Sequence, residues 1–289
     1  AIVLGAVTVL NEPAPATCTP IEIARPAKNA GLPLAANAAV PAAERAARKE
    51  SRLFAAYHSR FGEADCCLDI AHAGGSYFGQ ALTNSKEALD RNYSLGRRVF
   101  EVDLIPTCDG EIVLAHDWSD REGVPPSSSE FLAGGTKHGL SAMDLRDLIL
   151  WMRAHDEAIV VTDTKFNGGP EILLRHLRTL VDDKFLRDRF VFQLYSPQEV
   201  ENEQFRSFQR VLTIYRMRQL GDEEVVQLIR RSTIAALTIP ADRAERSLKG
   251  LREALSEIPI YVHGQIEKIN NLEYQAHFAT LGASGFYQE

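Results

Sequence analysis

The sequence predicts an α/β protein: a parallel eight-stranded barrel wrapped by helices, with a small hairpin after the second strand and an N-terminal extension. Three observations predict it. Apolar runs of strand length recur eight times, at 68–72, 99–105, 159–163, 190–194, 211–215, 235–239, 258–263 and 285–288. Amphipathic patterns of helical period fill most of the intervals between them. Strands alternating with helices read as parallel β/α units, and eight of them within 289 residues fit the (β/α)8 TIM barrel, which takes about 250.

The N-terminal portion does not read as barrel. Residues 1–10, AIVLGAVTVL, are largely apolar but too few to span a bilayer, which takes about 20. We read them as the remnant of a membrane anchor, with a buried strand as the alternative. Residues 11–41 are rich in alanine and carry Pro13, Pro15, Pro20, Pro26, Pro33 and Pro41, which predicts an extended linker. Residues 42–62 read as a helix that ends at Gly62 and packs on the barrel, so the domain is expected to run over 42–289.

Along the barrel, helical patterns are predicted at 84–95, 141–155, 170–181, 197–208, 222–231, 243–255 and 268–281, the second opened by Ser141 with Asp144 three residues on. After the second strand the chain turns tightly at Cys108-Asp109-Gly110-Glu111 into Ile112-Val113-Leu114, a hairpin signature. Residues 117–138 are polar, with Pro125, Pro126 and Gly134-Gly135, and read as a long loop.

Composition excludes several classes of function. With 45% hydrophobic and 25% charged residues the chain is neither fibrous nor wholly disordered. Its net charge of −7, with lysines and arginines scattered, argues against a nucleic-acid partner. Cys18, Cys66, Cys67 and Cys108 lack zinc-ligand spacing. A Cys18–Cys66 or Cys18–Cys67 bridge would fit an oxidising compartment.

Barrels of this kind place their chemistry at the C-terminal ends of the strands. The first strand ends in His72-Ala73-Gly74-Gly75. The second ends in Glu101-Val102-Asp103, whose two acids share one face by the alternation of a strand. Like charges inside a barrel repel unless a cation joins them, and hard oxygen donors suit Mg²⁺ or Ca²⁺. The hairpin returns at Ala115-His116-Asp117, and the third parallel strand ends in Asp163-Thr164-Lys165. Gln193, Tyr215, Arg216, His263, Gln265 and Tyr287 stand at later strand ends as headgroup contacts. Three carboxylates, two histidines and a lysine are the parts of a phosphodiester-cleaving site without a covalent nucleophile. Taken singly, each also has a structural reading: a salt-bridged acid, a hydrogen-bonded histidine, or a buried Asp–Lys pair.

The ordered motifs AHAGG, TNSKEAL, FEVDLIPTCDGEIVLAHDW and TDTK resemble the glycerophosphodiester phosphodiesterase family of the phosphatidylinositol-phospholipase-C-like superfamily, in a bacterial HAGG/TNS subgroup, over residues 68–289. The resemblance implies Glu101, Asp103 and Asp163 as metal ligands and His72 and His116 as the acid/base pair. It implies Lys165 as the phosphate-binding cation and Asn84 as an asparagine that helps hold the site; Gln193 and His263 are expected on the substrate from their strand-end positions alone. The implied reaction is metal-dependent hydrolysis of a glycerophosphodiester or related lipid-headgroup diester through a cyclic phosphate. The alternatives are a lyase that releases the cyclic phosphate, as in the similar sphingomyelinase D-type enzymes, and a catalytically weak membrane-tethered subunit. The chain departs from the family in Ala73, where arginine is usual, in Asp163 for glutamate, and in His263-Gly264-Gln265 on the seventh strand. The implied partner is a small-molecule or lipid-headgroup phosphodiester, met outside the cytoplasm, with membrane association through the N-terminus.

Overall fold

The computed structural model describes residues 69–289 apart from 217, 218 and 265. The expected anchor, linker and helix at 1–62, together with Cys18, Cys66 and Cys67, lie outside the described residues.

Among the described residues nine strands form one closed sheet: β1 (Ile70–Ala71), β2 (Val99–Pro106), β3 (Ile112–Leu114), β4 (Ile159–Thr164), β5 (Phe190–Leu194), β6 (Gln209–Thr213), β7 (Ala236–Pro240), β8 (Ile260–His263) and β9 (Gly285–Gln288). Eight of them pair in parallel, and the barrel closes because Ala71 is in register with both Phe100 on β2 and Gln288 on β9. Strand β3 is the exception, antiparallel to β2 across the predicted Asp109-Gly110 hairpin. All eight barrel strands overlap the eight predicted runs, and two of them match residue for residue.

The helices are α1 (Lys86–Ser94), α2 (Ser128–Gly134), α3 (Leu145–Ala154), α4 (Gly169–Leu180), α5 (Asp183–Arg189), α6 (Pro197–Glu201), α7 (Asp222–Arg230), α8 (Ala241–Ala254), α9 (Ile266–Ile269) and α10 (Leu272–Leu281). The sequence expectation needs correction at several places. Helix α3 opens at Asp144 rather than Ser141, because Asp144 and Asp147 form a reciprocal capping box. The predicted 117–138 loop contains α2, whose Ser127 caps Glu130 in the same way after two prolines end the preceding turn. The predicted 268–281 helix is split into α9 and α10, the second capped by Asn271. No helix among the described residues is long and apolar enough to cross a membrane.

Strand alternation sorts the side chains into two cores. Phe100, Val102, Leu104, Phe190, Phe192 and Leu237 point outward and pack against Leu148, Met152, Leu173, Leu177 and Leu248 of the helices. Ile70, Val99, Ile159, Val161, Val191 and Val211 point inward and fill the floor of the barrel. The next inward positions toward the C-terminal rim are polar yet buried: Glu101, Asp103, Asp163, Gln193, Thr213 and Thr238. The apolar floor seals the barrel, so these groups meet solvent or ligand from the C-terminal mouth.

Candidate active site

The mouth is organised by β2 and β4. These strands run in register with Asp103 opposite Asp163, and Glu101 lies two residues below Asp103 on the same face. One oxygen from each of Glu101, Asp103 and Asp163 lies within 4.8 Å of the others, and all three residues are buried. Each is held by a different device. The Ala73 amide donates to Glu101 Oε2 at 2.8 Å. Asn84 embraces Asp103: its Nδ2 donates to Oδ2 at 2.8 Å while its Oδ1 accepts from the Asp103 amide at 2.9 Å. The Tyr195 hydroxyl donates to Asp163 Oδ1 and accepts from the Thr164 amide at 2.9 Å.

The loop after β1 is bent to supply two of these contacts. Ala73 and Asn84 both sit at left-handed φ, 49° and 47°, and their backbones join where the Asn84 amide donates to the Ala73 carbonyl. Asparagine tolerates this region better than most residues, whereas alanine there carries strain. Gly75, at φ 83°, could not be replaced: a Cβ there would stand 2.5 Å from the Asn92 carboxamide.

Lys165 reaches across the cluster, with Nζ 2.8 Å from Asp103 Oδ1 and also paired to Asp163. Burial opposes its charge, but Asp103 and Asp163 hold its pKa well above the ordinary lysine value. Burial and then repulsion from Asp103 push the Glu101 carboxyl up to about 8, with His72 opposing. With all three carboxylates ionised against the one ammonium the cluster would carry a formal charge of −2, so a divalent cation would balance it and let Glu101 ionise. Asp103 Oδ1 has the Lys165 ammonium against it and no further hydrogen-bond donor among the described residues. Three converging carboxylates are an all-oxygen donor set that fits a hard cation such as Mg²⁺ or Ca²⁺.

The two predicted histidines flank the cluster. His72 donates from Nδ1 to Glu289 Oε1 at 2.5 Å and turns Nε2 to 3.9 Å from Glu101 Oε2. Burial alone would lower its pKa, but Glu289, Glu101 and Asp103 together raise it to about 9. His116 follows β3 and bonds Asp117 Oδ2 through Nδ1 at 2.7 Å. Burial works to raise the Asp117 pKa, but hydrogen bonds from Ser119 and from His116 bring it down to about 2.

The remaining predicted residues sit deeper or to the side. Gln193 is buried, its Oε1 accepting from Thr213 at 2.9 Å and from Tyr287 at 3.0 Å, so its amide braces the barrel wall. His263 stands between the rings of Tyr215 and Tyr287, and burial followed by the charge of His72 lowers its pKa to about 4, so it is neutral near pH 7. Its Nε2 is buried with no hydrogen-bond partner among the described residues. Gln265 lies outside the described residues.

Two residues of the site were not picked out from sequence, Tyr195 and Glu289. Each lies two positions beyond a residue that was, Gln193 and Tyr287, so the alternation of the strand carried one step past its end would have found both. Cys108, at the hairpin turn, is disulfide-bonded.

No protein-family model and no curated protein matches the sequence. Solved structures do. A glycerophosphoryl diester phosphodiesterase from Parabacteroides distasonis superposes at a TM-score of 0.61 with 16% identity, covering 82% of this chain and 88% of its own. The glycerophosphodiester phosphodiesterase of Thermotoga maritima does so at 0.59 with 17% identity, over 78% and 96%. The fold is that of these phosphodiesterases. A phosphodiesterase from Oleispira antarctica, solved with the product sn-glycerol-3-phosphate, matches at 0.57 with 15% identity, over 76% of this chain and 92% of its own. The described barrel therefore spans nearly the whole length of each.

Proposed function

We propose that this chain is a metal-dependent phosphodiesterase of the glycerophosphodiester phosphodiesterase family, acting on a glycerophosphodiester or a related lipid-headgroup diester. One observation carries the reading. Glu101, Asp103 and Asp163 converge within 4.8 Å at the mouth of the barrel, with Lys165 and His72 against them. The fold shared with phosphodiesterases, one of them holding a glycerol phosphate product, supports it.

Glu101, Asp103 and Asp163 would hold Mg²⁺ or Ca²⁺, which supplies Lewis-acid stabilisation of charge on the phosphate oxygens. Lys165 adds a fixed positive charge on the same side, and Asn84 keeps Asp103 aimed. The neighbouring hydroxyl of the substrate bonds to phosphorus as one histidine of the His72–His116 pair takes its proton. The other histidine gives a proton to the departing alkoxide, leaving a cyclic phosphate. Water then opens the ring with the two histidine roles exchanged. His263, with Tyr215 and Tyr287, would line the headgroup side, and Gln193 braces Tyr287 from behind.

The disulfide at Cys108 supports an extracytoplasmic location, since such bonds persist in oxidising compartments. Membrane association through the N-terminal residues is part of this proposal.

The test is release of glycerol phosphate from glycerophosphocholine and glycerophosphoethanolamine, or of acylglycerol phosphate from lysophospholipids, with Mg²⁺, Ca²⁺ or Mn²⁺, followed by phosphorus NMR. Metal-dependent monoester product, abolished by EDTA, is the expected result. A cyclic phosphate that accumulates instead would make the enzyme a lyase. No turnover of any diester with any of the three metals would sink the reading.

A further inference from the structure

Glu289 follows the last barrel strand directly, two residues beyond Tyr287, and the chain there is tied down on both sides. Gln288 points outward, accepting from Arg97 and donating to Asp69 Oδ2 at 2.6 Å. Asp69 also accepts the Phe286 amide at 3.0 Å, so the end of β9 is clamped to the start of β1. The Glu289 amide donates to Asn270 Oδ1 at 3.3 Å. These ties fix where the Glu289 side chain starts, and His72 follows β1 directly, so the barrel seam brings together two residues 217 apart in sequence.

The Glu289 side chain is 3% exposed. One oxygen accepts a hydrogen bond from His72 Nδ1 at 2.5 Å, and the other is buried without a hydrogen bond among the described residues. A buried carboxylate with so few partners loses its hydration for little structural return. What its one directed bond does is set the imidazole. A carboxylate accepts only, so the proton stays on Nδ1, and Nε2 is left facing the acidic cluster.

We infer that Glu289 is a positioning residue of the reaction, fixing the ring and tautomer of His72 so that Nε2 is the nitrogen that exchanges protons with substrate. The inference rests on the proposed phosphodiesterase reading. In the hydroxyl-attack step a proton passes between substrate oxygen and His72 Nε2. The Nδ1 proton remains bonded to Glu289, which balances the imidazolium charge while it lasts.

The experiment uses the full chain with saturating Mg²⁺ and glycerophosphocholine as the probe, comparing Glu289→Ala and Glu289→Gln with wild type. Glu289→Ala is expected to lower kcat about 100-fold with KM nearly unchanged, as for loss of other groups that orient a working histidine. Glu289→Gln keeps an acceptor oxygen at the same reach and is expected to recover part of the loss. It also guards against an alanine variant that fails to fold. In proton NMR the wild type should show a downfield imidazole N–H that assigns to His72 Nδ1 and is absent in Glu289→Ala. A kcat within twofold of wild type in the alanine variant, or a loss expressed only in KM, would overturn the inference. So would an Nδ1 signal indifferent to the substitution. A wild type inert on every diester, with the Nδ1 signal still dependent on Glu289, would instead remove the phosphodiesterase reading and the catalytic role with it, leaving a structural pair.

Discussion

The two histidines at the barrel mouth reach similar arrangements by opposite routes. His116 is paired with the very next residue, Asp117, which is itself held by the Ser119 amide at 2.8 Å. Everything that orients it lies within a few residues of chain, on the partly exposed rim. His72 is paired with Glu289 across the closing seam of the barrel, and its side chain is 25% exposed against 34% for His116. Its orientation therefore exists only when the whole barrel has closed. A locally built imidazole–carboxylate pair is robust but wet. A pair assembled through the fold is drier and sits directly against the acidic cluster, where a low dielectric strengthens each electrostatic contact.

If both histidines exchange protons with substrate, the contrast in their surroundings should disappear in the largest effects. His72→Ala and His116→Ala are each expected to lower kcat by about 10²- to 10⁴-fold, the range for loss of general acid or base. Steady-state kinetics at saturating Mg²⁺ would check this. A His116→Ala variant with near wild-type kcat would break the symmetry and leave His72 as the one working imidazole. Next in size comes the support of the acidic cluster. Asn84→Ala removes both hydrogen bonds that aim Asp103. It is expected to weaken metal binding by about 10- to 100-fold, as outer-shell partners do. Titration of the metal by calorimetry reads this directly, and unchanged affinity would make Asn84 a purely structural turn residue.

The same contrast explains what could be read in the sequence. The barrel was legible because strand and helix periods are local, and each of the eight apolar runs announces itself within its own few residues. The acids were legible for the same reason: Glu101-Val102-Asp103 and Asp163-Thr164-Lys165 put both outer members of each triplet on one face, and His116-Asp117 are neighbours. The family resemblance added the order in which they come. What could not be read depends on closure. Nothing near His72 points to Glu289, because their contact needs β9 beside β1. Nothing near Asp163 points to Tyr195, which reaches it from the next strand. Gln193 shows the converse: its position on an inward face was legible, but that Thr213 and Tyr287 already occupy its amide oxygen is a fact of two other strands. Helix α2 is hidden in the sequence for a local reason, since proline and serine dominate its approach and mask the Ser127–Glu130 capping box that starts it.

The smallest effect separates the two histidines by stability rather than by rate. The pKa of His72 is raised in the folded chain from 6.5 to about 9, so the native state holds a proton that the unfolded state gives up between these values. Stability from this source is fully present below pH 6.5 and is lost as pH rises through 9. Glu101, raised from 4.5 to about 8, loses stability in the same direction over a lower window. Asp117 runs the other way: lowered from 3.8 to about 2, it contributes above pH 3.8 and loses its contribution as pH falls through 2. The metal-free chain in EDTA should therefore show an unfolding free energy, read from denaturant titrations, that declines from neutral to alkaline pH, by up to roughly 3 kcal/mol for a shift of this size on His72. His72→Gln should remove its share of that decline, which spans pH 6.5 to 9, so that the decline above pH 8 disappears while the part due to Glu101 stays below it. The acid limb set by Asp117 should be indifferent to the substitution, because nothing in its pairing passes through the barrel seam. If His72→Gln leaves the whole alkaline limb in place, the proton lost there belongs to another group, and the Glu289–His72 pair contributes nothing to holding the barrel closed.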